Sequence, residues 1–236
     1  MQILAHRGAH GPEHPGVREN TLEAFETAAG VGIDGVELDV RWSADHHLVV
    51  HHDAVLPDGR VIAETVGTDL PQWVPRLEAV LDLCSGMALV NVEIKNSPLE
   101  ANYDPDHALG RAVAELTQGG GAGGSRSNLL VSSFDLATLD AFRLVDQATR
   151  TGWLTLPAYD QGRAAHDAAR KGHGALHPPA RATEAETVDI AHGLGLAVVV
   201  WTVNDSSQME LMAGLGVDVM VTDRPRLAVK VLGRAG

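Results

Sequence analysis

Three observations in the sequence predict an α/β protein folded as a single-domain (β/α)8 TIM barrel. Short apolar segments alternate with amphipathic segments along the whole chain, and charged residues stand at the ends of several apolar segments. The chain has 236 residues, and roughly 250 are typical of such a barrel. No linker is visible, so one domain is expected over residues 1–236. A doubly wound open sheet is less consistent, because the charged strand ends are not confined to one switch point.

The apolar segments predict nine strands, and the amphipathic segments predict eight helices. The strands cover residues 3–6, 36–40, 48–52, 88–94, 129–133, 151–156, 175–177, 196–202 and 218–222. The helices cover residues 21–30, 76–84, 106–118, 136–147, 161–170, 184–192, 206–213 and 224–232. Segment 41–47 is too short for a helical crossover, so the strands on either side of it are expected to form an antiparallel hairpin. Counting that hairpin as one barrel strand with an added arm leaves eight βα units.

Local signals refine this outline at three places. Asn20 is followed three residues later by Glu23, a pattern that resembles a capping box with Asn20 as the N-cap of the first helix. The glycine-rich segment 118–127 lacks the Lys-Ser/Thr of a phosphate-binding loop and precedes a strand, so we interpret it as a tolerated loop. Cys84 is the single cysteine, which excludes an intrachain disulfide framework.

The charge of the chain excludes two classes of partner. The formal net charge is -13 at pH 7, so nucleic acid and anionic lipid surfaces would be repelled. A phosphorylated small molecule is compatible wherever a metal ion, Arg or Lys supplies local positive charge. The first residues lack a signal-peptide pattern, and no segment is long enough for stable membrane insertion. We therefore expect a cytoplasmic protein, whose oligomeric state the sequence leaves unknown.

Acidic residues interrupt two of the predicted strands. Glu37 and Asp39 alternate with apolar residues, so both point to the same side of their strand, and Glu93 and Lys95 share a side in the same way. Three carboxylates that meet at the mouth of a barrel would repel one another. A hard divalent cation would relieve the repulsion, and oxygen-only ligands favour Mg or Ca over zinc. The alternative is a set of salt bridges in which Lys95 and Arg7 neutralise the acids.

Two histidines at strand ends are candidates for general acid–base catalysis. His6 ends the first predicted strand and His52 ends the third, and imidazole titrates near neutral pH. His51 should face the opposite side from His52, so only one of this pair is expected to act. His177 is a weaker candidate, for substrate contact, at the end of a later strand.

Each of the further candidates has a structural interpretation. The guanidinium of Arg7 suits a pair of phosphate oxygens, but a salt bridge to Glu19 or Glu37 is nearly as consistent with the sequence. Trp201 ends an apolar strand, where it would either wall a substrate pocket or belong to the core. Asp223 precedes the last predicted helix, and its default interpretation is an N-cap.

Taken in order, these residues resemble the glycerophosphodiester phosphodiesterase family. The resemblance covers nearly the whole chain, and its order and spacing are more specific than any single motif. The matching motifs are His6-Arg7-Gly8, Glu19-Asn20-Thr21, Glu37-Leu38-Asp39, His52-Asp53, Glu93-Ile94-Lys95, Ser132-Ser133-Phe134, Trp201-Thr202-Val203 and Thr222-Asp223-Arg224-Pro225.

The resemblance implies a barrel enzyme that hydrolyses a small-molecule glycerophosphodiester to glycerol 3-phosphate and an alcohol. It implies that a divalent cation, Mg or Ca, is held at Glu37, Asp39 and Glu93. It implies that His6 and His52 act as acid and base. It also implies that Arg7 and Lys95 contact the phosphate or stabilise its charge. A glycerol hydroxyl would attack phosphorus first, and water would then open the resulting cyclic phosphate.

Two alternatives remain at this stage. Related barrels act like phospholipase D on lysophospholipids or sphingomyelin, and this chain could share that substrate class. A catalytically inactive barrel used as a binding module is the other alternative. The presence of both histidines together with the three acids weighs against it, because a binding module needs no acid–base pair.

Overall fold

The computed structural model describes residues 1–100, 102–118 and 128–234. The glycine-rich segment that we interpreted as a loop lies, from residue 119 to residue 127, outside the described residues. The strands are β1 (Gln2–His6), β2 (Gly35–Trp42), β3 (Leu48–Val50), β4 (Leu89–Ile94), β5 (Leu129–Ser133), β6 (Arg150–Leu154), β7 (Ala175–His177), β8 (Ala197–Val200) and β9 (Val219–Thr222). The α-helices are α1 (Leu22–Ala29), α2 (Leu77–Leu83), α3 (Ala108–Gln118), α4 (Leu136–Val145), α5 (Gln161–Arg170), α6 (Ala185–Gly193), α7 (Ser206–Gly214) and α8 (Pro225–Val231).

Eight parallel strands close into a barrel. The strand order is β1-β9-β8-β7-β6-β5-β4-β2, and β1 also pairs with β2, which completes the ring. β3 pairs antiparallel with the second half of β2, from Val40 opposite Val50 to Trp42 opposite Leu48. The predicted fold class is therefore confirmed, including the hairpin arm added to one barrel strand.

Side-chain alternation along the strands separates two apolar layers. Val36, Leu38 and Val40 of β2 point outward and pack in one cluster with Phe25 of α1. A smaller cluster inside the barrel includes Leu4, Leu89 and Leu130, near the amino-terminal ends of their strands. The residues of β2 between the outward-facing ones point into the barrel, further along the strand than this inner layer. The fold thereby directs Glu37 and Asp39 toward the carboxyl-terminal mouth, where catalytic residues of such barrels lie.

The start of α1 differs from the prediction by one residue. Thr21, not Asn20, is the N-cap, and its side chain accepts a hydrogen bond from the backbone N–H of Ala24. Asn20 instead adopts a φ of 55° and donates its side-chain amide to Asp39 at 2.7 Å. Two adjacent residues could cap this helix, and the contact with Asp39 decides between them. In the part of the chain described, every helix is too short or too polar to cross a bilayer.

Candidate active site

Three carboxylates meet at the mouth of the barrel. Glu37 and Asp39 lie on β2, and Glu93 lies on β4 directly opposite Asp39. One oxygen of each carboxylate lies within 4.8 Å of the others, and all three residues are buried. Parallel pairing of β2 with β4 therefore produces the acidic cluster that the sequence predicted.

Lys95 and Arg7 neutralise part of this cluster. Lys95 Nζ lies 2.9 Å from Asp39 Oδ1 and 2.6 Å from Glu93 Oε1. Arg7 Nε lies 3.4 Å from Asp39 Oδ2, and Arg7 Nη1 lies 2.9 Å from Glu19 Oε1. The salt bridges that we considered as the alternative to a metal site are thus present at two of the three acids.

The negative charge of Glu37 is less fully neutralised than the charges of Asp39 and Glu93. Its Oε2 accepts a hydrogen bond from the backbone N–H of Arg7 at 3.0 Å, but its buried Oε1 has no hydrogen-bond partner among the described residues. Burial raises the pKa of Glu37, and the negative charge of Asp39 raises it further. Burial alone would also raise the pKa of Asp39, but the charges of Lys95 and Arg7 outweigh it and hold that pKa low. Among the described residues, Oε1 of Glu37 thus has neither a hydrogen-bond donor nor a salt-bridge partner.

The cluster fits a hard divalent cation. All of its donors are carboxylate oxygens, the ligands that Mg and Ca prefer. With all three acids ionised, as they would be around a cation, their negative charges exceed the two positive charges of Lys95 and Arg7. The unpartnered Oε1 of Glu37 is a buried polar atom that a cation would satisfy. Glu37, Asp39 and Glu93 are therefore the residues that could hold the ion.

Each candidate histidine has a carboxylate at its Nδ1. His6 Nδ1 lies 2.6 Å from Asp223 Oδ1, and His52 Nδ1 lies 2.7 Å from Asp53 Oδ1. In the neutral ring this contact places the proton on Nδ1 and leaves Nε2 as the acceptor. His6 Nε2 lies 3.8 Å from Glu37 Oε2, which brings that nitrogen to the acidic cluster.

The two imidazoles have different electrostatic surroundings. Burial lowers the pKa of His6, but the hydrogen bond to Asp223 and the charge of Glu37 outweigh this effect. The pKa of His6 is therefore raised. Burial lowers the pKa of His52, and the positive charge of Lys95 lowers it further. Different protonation states of two nearby imidazoles at one pH are what paired acid–base chemistry requires.

The other predicted residues lie around this centre. Gly8 has a φ of 82°, and a Cβ there would lie 2.7 Å from the side chain of Ala24, so the turn after β1 requires glycine. Trp201 donates its indole N–H to the carbonyl of His177 at 2.9 Å, and its ring packs against Phe134. His177 is 1% exposed, and burial lowers its pKa to about 3. Its side chain is buried inside the barrel, and its role as a substrate contact stays a prediction.

A cavity of about 630 Å³ opens beside the acidic cluster. His52, Glu93 and Lys95 form its inner side, and residues after β4, β5 and β6 form the remainder. Cavities of roughly 300–1,000 Å³ are typical of small-molecule sites. The cavity therefore continues the candidate site toward one flank of the barrel mouth.

A buried arginine connects this cavity to one of the histidines. Arg41 of β2 is 3% exposed, and its Nε donates to the backbone carbonyl of His52 at 2.7 Å. Its two terminal nitrogens contact both carboxylate oxygens of Glu100, at 2.7 and 3.2 Å. Such a two-point contact fixes the geometry of both partners. One side chain thus positions the His52 backbone and the segment after β4 together.

A profile described as the glycerophosphoryl diester phosphodiesterase family matches residues 6–227. The chain belongs to this family. The resemblance read from the motifs, the barrel fold and the predicted enzyme class, a phosphoric diester hydrolase, are thereby confirmed.

Relatives of this phosphodiesterase family member match it from end to end. A glycerophosphodiester phosphodiesterase of Bacillus altitudinis is 30% identical, with 98% of this chain and 97% of the relative covered. One of Caldanaerobacter subterraneus is 28% identical, with 99% and 98% covered. The crystal structure of the glycerophosphodiester phosphodiesterase of Thermotoga maritima aligns with a TM-score of 0.79 at 28% identity, covering 97% of each chain. The similarity therefore includes both the fold and the region of the site.

Sequence reasoning missed the role of Asp223 in this phosphodiesterase family member. Arg224 occupies the N-cap position of α8, so the predicted cap at Asp223 is wrong. The carboxylate of Asp223 instead lies against His6 Nδ1 through one oxygen and accepts from Asn204 Nδ2 at 2.6 Å through the other. The only sequence signal was that Asp223 directly follows a strand, as the other site residues do.

Asp223→Asn is expected to lower kcat at least about tenfold, a part of the 10²–10⁴-fold that general acid–base catalysis contributes. The amide keeps the size of the side chain but removes the charge that orients and supports the His6 imidazole. Nitrogen NMR of His6 should show a changed tautomer or a lowered pKa, which a purely structural role would not produce. Asp218→Asn is the matched control, because Asp218 contacts His192 at the other end of β9. Equal effects of both variants on kcat would remove Asp223 from the catalytic arrangement.

Proposed function

We propose that the chain hydrolyses glycerophosphodiesters to glycerol 3-phosphate and an alcohol, with a bound Mg or Ca ion and with His6 and His52 as acid and base. The observation that carries this proposal is the buried acidic cluster at the barrel mouth, next to a histidine held by a carboxylate. Family membership and the names of the relatives support the same reaction.

Glu37, Asp39 and Glu93 would hold the ion. When bound, the ion supplies positive charge against the phosphate oxygens. Lys95 and Arg7 add fixed positive charge at the same place, where negative charge develops as the phosphate is attacked. Because the lysine is largely buried, its charge is screened less than that of a surface lysine.

The two histidines would move the protons of the reaction. In the first step, one imidazole takes the proton of a substrate glycerol hydroxyl while the oxygen of that hydroxyl attacks phosphorus. The other imidazole gives a proton to the alkoxide that leaves, so the proton count balances. Water then opens the cyclic phosphate with the two roles reversed. The carboxylates of Asp223 and Asp53 orient the rings that do this.

Removal of divalent cations tests the metal requirement. With glycerophosphoethanolamine as substrate, EDTA is expected to lower release of glycerol 3-phosphate at least about 100-fold, and Mg or Ca should restore it. Calorimetric titration should show weaker Mg or Ca binding to Glu93→Gln, whereas Glu23→Gln, on the exposed side of α1, should bind as the native chain does. Turnover that persists in EDTA would refute the metal role. Absence of turnover across a panel of diesters would favour the binding module.

Several sequence-based expectations stay predictions. These are one domain extending over residues 1–236, a cytoplasmic location and the exclusion of nucleic acid as a partner. Action on lysophospholipids stays the second candidate function. It is favoured by one observation, the apolar lining of the cavity beside His52.

A further inference from the structure

The cavity beside the acidic cluster is walled mainly by apolar side chains. The ends of β5 and β6 and the segments that follow them contribute Phe134, Leu136, Trp153, Leu156 and Tyr159. No part of the proposed reaction at the phosphate uses these five side chains. They extend the site away from the acids and offer apolar surface to whatever the phosphate carries.

This wall is held in place before any ligand binds. The indole N–H of Trp153 donates to the backbone carbonyl of Phe134 at 3.2 Å, which satisfies its only polar atom. The ring of Trp153 lies 5.9 Å from that of Tyr159, with a tilt of 49° between the planes. Rings fixed in this way need little reordering when an apolar group is placed against them.

The carboxylates that line the cavity are already paired. Glu93 lies 2.6 Å from Lys95, and Glu100 lies 2.7 Å from Arg41. Asp135 accepts hydrogen bonds from backbone N–H groups in the first turn of α4. A cationic group in the cavity would therefore meet no unpaired carboxylate among the described lining residues, and Lys95 would repel it. The described lining thus offers a cationic occupant no carboxylate that lacks a partner.

Apolar surface continues to the open end of the cavity. Leu99, in the segment after β4, is 87% exposed, and Tyr159, in the segment after β6, is 43% exposed, and both line the cavity. Apolar side chains exposed together at the rim of a cavity are typical of a surface that a ligand covers. His52 forms part of the inner side of the cavity, next to the acidic cluster. A substituent of the substrate could therefore occupy the cavity while the phosphate that carries it lies at the cluster.

We propose that this cavity binds an apolar substituent of the substrate, so that diesters carrying an alkyl or acyl group are preferred over those with small polar or cationic alcohols. The inference rests on the proposed function, because His52, Glu93 and Lys95 belong both to the cavity and to the proposed catalytic centre. Two sources supply the same chemistry: an alkyl alcohol esterified to the phosphate, or an acyl chain on the glycerol of a lysophospholipid.

A substrate panel distinguishes these sources. The full chain, assayed with Mg and separately with Ca, is given the glycerol 3-phosphate esters of hexanol, ethanolamine and choline, and a hexanoyl lysophosphatidylcholine. For an alkyl alcohol, kcat/KM of the hexyl ester is expected to exceed that of the ethanolamine ester at least about tenfold, since several methylenes leave water. For an acyl chain, hexanoyl lysophosphatidylcholine should exceed glycerophosphocholine by a similar factor.

A substitution in the wall tests the location of the preference. Leu156→Asn keeps the number and branching of the side-chain heavy atoms but places an amide in the apolar wall. It is expected to reduce the larger of these two ratios to below about threefold. Leu144→Asn is the matched control, because Leu144 is 80% exposed on α4 and lies outside the cavity. It should retain the ratio of the native chain. An unchanged ratio in Leu156→Asn would overturn the proposed location.

The remaining outcomes separate the subsite from the reaction. Similar rates for all four substrates, or a preference for choline over both apolar substrates, would overturn the apolar subsite and leave the hydrolysis intact. If no diester is hydrolysed, the proposed function fails, and binding decides the subsite. Calorimetric titration should then show hexyl phosphate binding at least about tenfold more tightly than methyl phosphate, as expected for burial of its alkyl chain. Equal affinities would overturn the subsite.

Discussion

His52→Asn is expected to lower kcat by about 10²–10⁴-fold, the range that a positioned general acid or base contributes. His6→Asn should lower it by a similar factor, because each imidazole moves one of the two protons in the proposed mechanism. Both variants should keep the fold, since each side chain lies at the barrel mouth and not in the apolar layers. Steady-state kinetics gives the loss, and circular dichroism with thermal unfolding checks the fold.

His51→Asn is the control for this experiment. His51 directly precedes His52, but its Nδ1 contacts the backbone carbonyl of Asp53 and its ring lies 5.7 Å from that of Trp73. We expect its kcat to stay within about threefold of the native value, as for a substitution outside the reacting centre. If His51→Asn lost as much activity as His52→Asn, the catalytic assignment of His52 would be wrong.

Lys95→Met should destabilise the chain strongly when no divalent cation is present. The ammonium of Lys95 lies between Asp39 and Glu93, and its side chain is 9% exposed. Burial alone would lower the pKa of Lys95, but the two carboxylates raise it, so the lysine is charged at neutral pH. Removing one partner of a buried ion pair typically costs about 3–5 kcal/mol in the free energy of unfolding. Urea unfolding in EDTA measures this loss.

Added Mg or Ca should recover part of that stability, because an ion that binds only the folded chain shifts unfolding by mass action. Lys171→Met is the control: its partner Asp140 is as exposed as the lysine, at 38% each. Such a surface pair is expected to contribute about 0–1 kcal/mol. If Lys95→Met were as stable in EDTA as the native chain, the acids would not depend on this lysine for neutralisation.

The sequence predicted the acidic cluster because buried parallel strands read as apolar runs. Glu37, Asp39 and Glu93 interrupt such runs, so they stand out without any knowledge of the fold. Alternation along a strand then placed the two acids of β2 on one side. The same rules identified His6 and His52 as strand-end residues, and the structure brings the nitrogen of His6 to within 3.8 Å of Glu37.

The contacts that the sequence did not predict depend on closure of the barrel. Asp223 and His6 are 217 residues apart and meet only because β9 pairs with β1. Local capping rules favoured a helix start for Asp223, as they did for Asn20, and long-range contacts overrode them in both cases. The aromatic wall of the cavity combines residues from successive βα units, so no periodic pattern in the sequence predicts it.

The guanidinium of Arg41 has a mechanical consequence. It is a rigid strut with the His52 backbone at one end and Glu100 at the other. A displacement of the segment after β4 would therefore also shift the backbone that carries the His52 ring, the proposed acid or base. The position of the cavity rim and the position of that backbone are thereby tied through a single side chain.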